Sequence, residues 1–217
     1  MSTTLKDDVE QICDLVARKI RDNTRILIGI AGPPAAGKST LAQAVVQSLN
    51  TQRRGEVPYA ALLAMDGYHL DNRVLEARGL LARKGAPETF NARGFCQDVR
   101  QLALPGGDGF YPTFDRELDL AIANAVAISA ETPVVIVEGN YLLLDSEPWR
   151  NLRDVFAASV FICPSIETLR ERLHQRWISH GFESKAALAR STENDLPNAR
   201  LVIAQSLEAD IRLTQSH

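Results

Sequence analysis

The sequence predicts an α/β domain built on a mainly parallel sheet with helices on both faces. Short, branched apolar runs stop abruptly at a glycine or an acidic residue, apolar residues between them recur at helical spacing, and a glycine-rich loop joins the first run to a helix. Runs that are continuously apolar, without alternation, are strands buried on both faces. Helices on each side of a parallel sheet provide that environment.

Each element follows in order. Leu5, Val9, Ile12, Val16 and Ile20 are spaced by three and four, so residues 3–21 read as an amphipathic helix with one face on the domain. Residues 26–31 form the first strand, ended by Gly32 and two prolines, and residues 38–49 read as the next helix. Further apolar runs over 59–65, 134–137 and 158–163 stop at Asp66, at Glu138 and Gly139, and at Pro164, the last before a helix from 165 to about 179. Residues 105–112 read as a loop, because Gly or Pro fills four of the first five positions. Residues 118–129 stay ambiguous: Leu118, Ile122 and Val126 suit a helix, while 126–128 could begin a strand before Pro133. No repeat, low-complexity tract or linker interrupts the chain, so residues 1–217 are expected to form a single domain.

Composition narrows the function classes. Twenty-four Lys and Arg against 27 Asp and Glu leave a formal charge of -3, which provides no electrostatic footprint for nucleic acid or an anionic membrane. An anionic ligand must therefore be held locally. Cys13, Cys96 and Cys163 are scattered without metal-ligand spacing, and His174 and His180 add none, which argues against a zinc site and for a reducing compartment. Residues 1–22 lack the continuous apolar core of a secretory signal, and no run approaches the length of a membrane span. A cytoplasmic protein without membrane insertion is the expectation.

Gly32-Pro33-Pro34-Ala35-Ala36-Gly37-Lys38-Ser39, followed by Thr40, fits the phosphate-loop pattern G-x-x-x-x-G-K-[ST] at every specified position, between a strand and a helix. Backbone N–H groups of such a loop converge with the helix N-terminus on phosphate oxygens. Gly37 permits close approach, Lys38 brings positive charge to the β and γ phosphates, and the Ser39 hydroxyl is a candidate magnesium ligand. Glu138, at the end of a buried strand, is the second candidate ligand. Asp66, similarly placed, could orient an acceptor hydroxyl and take its proton, although an Asp there could equally cap a helix. His69 reads as a pocket residue and not as a proton-transfer group, since no nucleophile pairs with it.

These motifs resemble the phosphoribulokinase and uridine kinase family of P-loop kinases, with pantothenate kinase as another relative. The phosphate loop, Met65-Asp66-Gly67-Tyr68-His69, Arg83-Lys84-Gly85-Ala86-Pro87-Glu88-Thr89-Phe90, Tyr111-Pro112-Thr113-Phe114-Asp115-Arg116 and Val137-Glu138-Gly139-Asn140-Tyr141 occur in family order over residues 25–205. Within the family the resemblance is strongest to bacterial kinases of the fructose transport system type. The resemblance implies a P-loop NTPase fold with a five-stranded parallel sheet in the order 2-3-1-4-5. It also implies ATP and Mg2+, Asp66 as base, Ser39 and Glu138 near magnesium, and a small lid over about 172–195. Arg172 and Arg176 would be its arginines, and residues 194–198 would lie near the adenine.

Departures from the family narrow the acceptor. Phe114 and Asp119 stand where uridine kinases carry the Tyr and the base-reading His, which makes uridine a poor fit. The Tyr-Ser-His-Leu segment of pantothenate kinase is absent too. The candidates that remain, Asp66, Tyr68, His69, Asp71, Arg93, Asp115 and Arg116, suit a polyhydroxylated acceptor such as a sugar, and the arginines would suit a phosphorylated one. The reading is an ATP-dependent kinase acting on a hydroxyl of a small metabolite. Its alternatives are a nucleoside or pantothenate-like acceptor and an ATP-binding regulator with no acceptor. A homodimer through the exposed face of helix 3–21 stays open.

Overall fold

The computed structural model describes residues 3–21, 24–53 and 55–214. Five parallel strands form the central sheet: β1 (Ile26–Ala31), β2 (Ala60–Ala64), β5 (Val134–Gly139), β6 (Ala158–Ile162) and β7 (Ile211–Leu213), in the order β2-β5-β1-β6-β7. Counted among themselves, these strands stand in the order 2-3-1-4-5. A separate antiparallel hairpin pairs β3 (Gly109–Asp115) with β4 (Leu120–Ile128).

Because side chains alternate along a strand, the sheet sorts its residues into two cores. Ile26, Ile28 and Ile30 of β1, with Val134 and Ile136 of β5, pack beneath α1 (Thr3–Lys19) and α2 (Lys38–Gln52). Leu27, Val135, Val137 and Phe161 face the other way, against Phe95, Val99 and Leu102 of α4 (Ala92–Ala103) and the buried rings of Tyr141 and Trp149. Val9, Ile12, Leu15 and Val16 of α1 are buried in the first core, so the apolar stripe of this helix is spent on its own sheet. Residues 1, 2, 22 and 23, part of the N-terminal stretch read above, lie outside the described residues.

Three sequence expectations need correction. Residues 109–112 are strand, not loop, because they pair with β4 across the hairpin, a non-local contact that outweighs their Gly and Pro content. The helical option for 118–129 fails for the same reason: Leu120–Ile128 is extended. Glu138 lies within β5, paired with Ala64 and Ile30, and not beyond it. The fifth strand, β7, is three residues long, too short to announce itself by periodicity.

Past β6, α5 (Ile166–Ser179) leads to α6 (Ser184–Arg190) and then, through a single wide π turn at Ser191–Asp195, to α7 (Leu196–Gln205). Pro197 stands at the start of α7 and has no N–H to give the carbonyl of Glu193, so the regular ladder is interrupted there. A short α3 (Asn72–Ala77) follows the turn after β2.

Candidate active site

The site is built at the carboxyl ends of β1, β2 and β5. Gly32 leaves β1 at φ +152°, and a Cβ on it would stand 2.3 Å from the carbonyl oxygen of Ile162. Only glycine lets the loop cross the end of β6 so closely. Gly37, at φ +93°, turns the chain into α2 without a side-chain cap, which leaves the first-turn N–H groups free for an anion. Lys38 is buried, and its Nζ donates to the Pro33 carbonyl at 2.9 Å, arching over its own loop. Burial lowers its pKa to about 8, against the opposing pull of Glu138 and Asp66.

The Ser39 hydroxyl donates to Glu138 Oε1 at 3.0 Å. Glu138 is buried, and desolvation, reinforced by the Asp66 charge, raises its carboxyl above the usual range. Two hard oxygen donors in contact beside a phosphate-binding loop fit a magnesium ion. No group of three or more His, Cys, Asp or Glu forms a metal site among the described residues. An ion here would draw its other ligands from phosphate and water, as magnesium commonly does.

Asp66 lies in the tight turn Met65–Tyr68 that follows β2. Its Oδ2 accepts from Arg116 at 2.7 Å, across from the hairpin. That reach depends on Gly67, since a Cβ there would stand 2.5 Å from the Pro112 carbonyl oxygen and hold the hairpin off. His69 Nδ1 lies 2.8 Å from the Asp66 carbonyl, and its ring packs on Phe90 (4.0 Å) and Phe114 (4.7 Å). Burial lowers the His69 pKa, so the ring is neutral at neutral pH.

The other expected acceptor residues hold different positions. Tyr68 is buried edge-on to Phe95 and donates its hydroxyl to Asp98 at 2.7 Å. Asp71 caps α3 and pairs with Arg73. Asp115 accepts from the backbone N–H groups of Glu117 and Leu118, shaping the hairpin turn. Arg93 lines a separate cleft with Cys96, Arg100, Glu147 and Pro148, and is not brought to Asp66.

Several residues of this region escaped the sequence reading. Lys84, its side chain only 9% exposed, reaches Asn72 Oδ1 at 2.7 Å, the Asp119 carbonyl at 2.8 Å and the Asp119 carboxylate at 2.8 Å, and lies 5.1 Å from the Phe114 ring centre. Asp119 takes a left-handed φ of +53°. An Asp in the Asp-Arg-Glu-Leu-Asp hairpin turn was the available signal for that conformation. Lys84 was marked only as part of the Arg83–Phe90 motif, with no role, and it meets its partners only through folding.

On the other side, the segment from α5 to the π turn is tied to residues 82–85. Trp177 Nε1 donates to Asp195 at 2.6 Å, and the Arg190 guanidinium lies 5.2 Å from the Trp177 ring centre and donates to the carbonyls of Ala82 and Lys84. Asn194 donates to the Lys84 carbonyl and accepts from Arg83, each at 3.0 Å. Asn194, Asp195 and Asn198 are buried. Arg176 is lowered by burial and by Arg116 and raised by Asp66, and its charge is felt at Lys38, so α5 aims it at the centre of the site. Arg172, half-buried, stands one turn earlier on α5.

A parallel sheet of this order, with a phosphate loop after β1 and acidic residues at the ends of β2 and β5, defines a P-loop kinase. The model of the phosphoribulokinase / uridine kinase family matches residues 27–213, and the chain belongs to this family. It is 36% identical to Escherichia coli (strain K12) "Uncharacterized protein YggC" over 88% of this chain and 78% of that one. With the "putative fructose transport system kinase" of Silicibacter sp. TM1040, a solved structure, it shares 41% identity and a TM-score of 0.84, covering 94% of this chain and 98% of that one. It is 30% identical to the pantothenate kinase of Streptomyces coelicolor over 78% of its length but spans only 51% of that enzyme. The protein is a P-loop small-molecule kinase, a phosphotransferase of a family that uses ATP. No helix among the described residues is long and apolar enough to cross a membrane.

Proposed function

We propose that the protein transfers the γ-phosphoryl group of ATP to a hydroxyl of a small polyhydroxylated acceptor, foremost a sugar. The observation that carries this reading is the convergence of Lys38, the Ser39–Glu138 pair and the Asp66 carboxylate at the ends of three adjacent strands. Loop residues 32–37, the amides of α2 through Thr40, and Lys38 grip the phosphates, while Ser39 and Glu138 hold magnesium. A magnesium ion held by these two oxygens would supply neutralising charge to the triphosphate. Asp66 exchanges Arg116 for the acceptor hydroxyl and takes its proton. The acceptor oxygen then bonds to the γ-phosphorus as the bond to the β,γ-bridging oxygen breaks, leaving ADP.

Arg176, with Arg172 behind it, stabilises charge on the transferring group, and 172–195 acts as the lid of a single cytoplasmic kinase domain. Residues 194–198 lie beside the adenine. His69, Arg116 and Lys84 line the acceptor side, where Tyr68, Asp71 and Asp115 serve as its frame. The sugar reading draws support from the fructose transport system wording of the Silicibacter relative. A phosphorylated sugar is the second reading, favoured by the cationic pair Lys84 and Arg116.

The test is ATP consumption with magnesium against a panel of sugars, sugar phosphates, nucleosides and pantothenate, in wild type and Asp66→Asn. One acceptor should raise turnover well above background, and Asp66→Asn should remove that increment. Nucleotide binding with no stimulating acceptor, and an Asp66→Asn variant that behaves as wild type, would sink the kinase reading in favour of an ATP-binding regulator.

A further inference from the structure

The chain between α3 and α4 is gripped from two sides at Lys84. On one side its Nζ reaches Asn72 and Asp119, which join it to the hairpin turn. On the other its carbonyl oxygen accepts from Arg190 at 3.3 Å and from Asn194 at 3.0 Å. The Ala82 carbonyl accepts from Arg190 as well. Just past Lys84 the chain is fixed to the sheet, because the buried Tyr141, which follows β5, donates to the Gly85 carbonyl at 2.6 Å. Residues 82–84 are thus a short strap between α6 and the hairpin that carries Arg116 and Asp119.

Arg190 is where this strap meets the phosphate end. It is the last residue of α6, directly before the π turn. Its guanidinium lies over the Trp177 ring, 5.2 Å from the ring centre, and Trp177 is the neighbour of Arg176 on α5. Asp195 accepts from Trp177 Nε1 at 2.6 Å and is acted on by the charges of both Arg176 and Arg190. A planar guanidinium can lay its face on a ring while its N–H edge donates to two carbonyls, and an ammonium cannot do both.

The contacts form one continuous run. It starts at Arg176, coupled by charge to Lys38 and Asp66, and passes through Trp177 and Arg190 to the carbonyls of Ala82 and Lys84. From there the Lys84 side chain carries it to Asp119.

We infer that Arg190 is a positioning residue: it ties the arginine facing the transferring phosphoryl to the strap at 82–84, so that nucleotide bound at the phosphate loop steadies the hairpin turn on the acceptor side. The inference rests on the kinase reading proposed above, which decides which end takes nucleotide and which takes the acceptor. Its chemical consequence is that the turn bearing Arg116 and Asp119 is set in place for the acceptor once the triphosphate is bound.

Hydrogen–deuterium exchange of the full chain, with and without magnesium and the non-hydrolysable ATP analogue AMP-PNP, reads each link separately. In the wild type the analogue should slow exchange at the phosphate loop, at 82–86, and at the Glu117 and Leu118 amides of the hairpin turn. At the turn the slowing should be about fivefold or more, the lower end of common coupling between sites. Arg190→Met keeps an apolar stem on Trp177 and leaves the exposed Ala82 carbonyl to water, so the variant should fold, with far-UV circular dichroism as the control. The analogue should still protect its phosphate loop, but protection at 82–86 and at 117 and 118 should vanish. Arg190→Lys should lose that protection too, because it keeps the charge without the fork. Lys84→Met breaks the run one link later, so the analogue should still slow exchange at 82–86 but not at 117 and 118. Lys185→Met, exposed on the same helix, should match the wild type.

An arginine that serves only the fold would, when replaced, speed exchange equally with and without the analogue, and the unchanged ratio at 117 and 118 would overturn the proposal. So would a wild-type hairpin turn indifferent to AMP-PNP while the phosphate loop is protected, an outcome that leaves the kinase reading standing. A phosphate loop that the analogue never protects sinks the nucleotide reading and this inference with it.

Discussion

The two halves of the site are built on opposite physical terms. At the phosphate end, Lys38 and Glu138 are 7% and 4% exposed, and Ser39 touches Glu138 directly. At the end proposed to take the acceptor the ion pairs are wetter: the Asp66 and Arg116 side chains are 23% and 45% exposed, and Asp119 is 57% exposed even where Lys84 is buried. Buried charge is costly to rearrange, so the phosphate end is set before ligand arrives. A half-exposed ion pair is worth about 0–1 kcal/mol and can be exchanged for a ligand's hydroxyls. One scaffold can thus keep a constant phosphate end while its acceptor end varies among relatives that phosphorylate different molecules.

Replacing Lys38 tests the buried half most severely. Lys38→Ala should lower turnover by about 10²–10³-fold, the scale of losing one preorganised charged contact to the transition state. Melting temperature should hardly change, because burial already disfavours the ammonium in the free protein. A large loss of melting temperature alongside the loss of turnover would mean that Lys38 also holds the loop together.

Gly67→Ala tests the join between the halves. The new Cβ meets backbone atoms of Pro112 that no side-chain rotation can clear, so the hairpin must move, at a cost of about 1–3 kcal/mol. Calorimetry should show that loss, and steady-state kinetics should show a raised acceptor KM with nucleotide affinity within about twofold of wild type. Equal losses in nucleotide and acceptor binding would erase the distinction between the halves.

A pH series sharpens it further. The folded-state pKa of Glu138 is raised above its ordinary 4.5, so the native protein retains a proton that the unfolded chain releases. Without ligand, wild-type stability should fall relative to Glu138→Gln as pH rises above 4.5 and through the raised pKa. Magnesium-nucleotide affinity should rise over the same interval as the carboxylate forms. Parallel pH curves for the two proteins would remove Glu138 from the metal-binding role.

The smallest effect is expected at Lys84. Lys84→Met removes three contacts to Asn72 and Asp119 at the hairpin turn, and should raise acceptor KM a few-fold while leaving nucleotide affinity unchanged. Direct titration with nucleotide beside acceptor kinetics separates the two.

Legibility in the sequence divides along the same line. The phosphate loop is eight consecutive residues whose spacing carries its chemistry, and β1 over 26–31 is predicted to the residue, since a strand buried on both faces leaves an unbroken apolar run. The proposed acceptor side joins residues distant in sequence: Asp66 with Arg116, Lys84 with Asn72 and Asp119, and His69 between Phe90 and Phe114. Asp71, Tyr68 and Asp115 have residue types suited to substrate, but other partners engage their polar atoms: neighbouring residues for Asp71 and Asp115, and Asp98 for Tyr68. Residues 105–112 read as loop and 118–129 as helix or the start of a strand, because the hairpin's pairing satisfies backbone groups across the chain, where no periodicity reports it.

By itself, then, the amino-acid order determined four of the five parallel strands, the phosphate loop and the two carboxylates at strand ends, because burial and glycine geometry act over a few consecutive residues. Tertiary structure alone decided that Gly67 admits the hairpin, that Arg116 lands on Asp66, and that Arg176 turns inward while Arg93 does not. Those outcomes depend on close approach between segments far apart in the chain. The energies that settle them arise only once the sheet has brought those segments together.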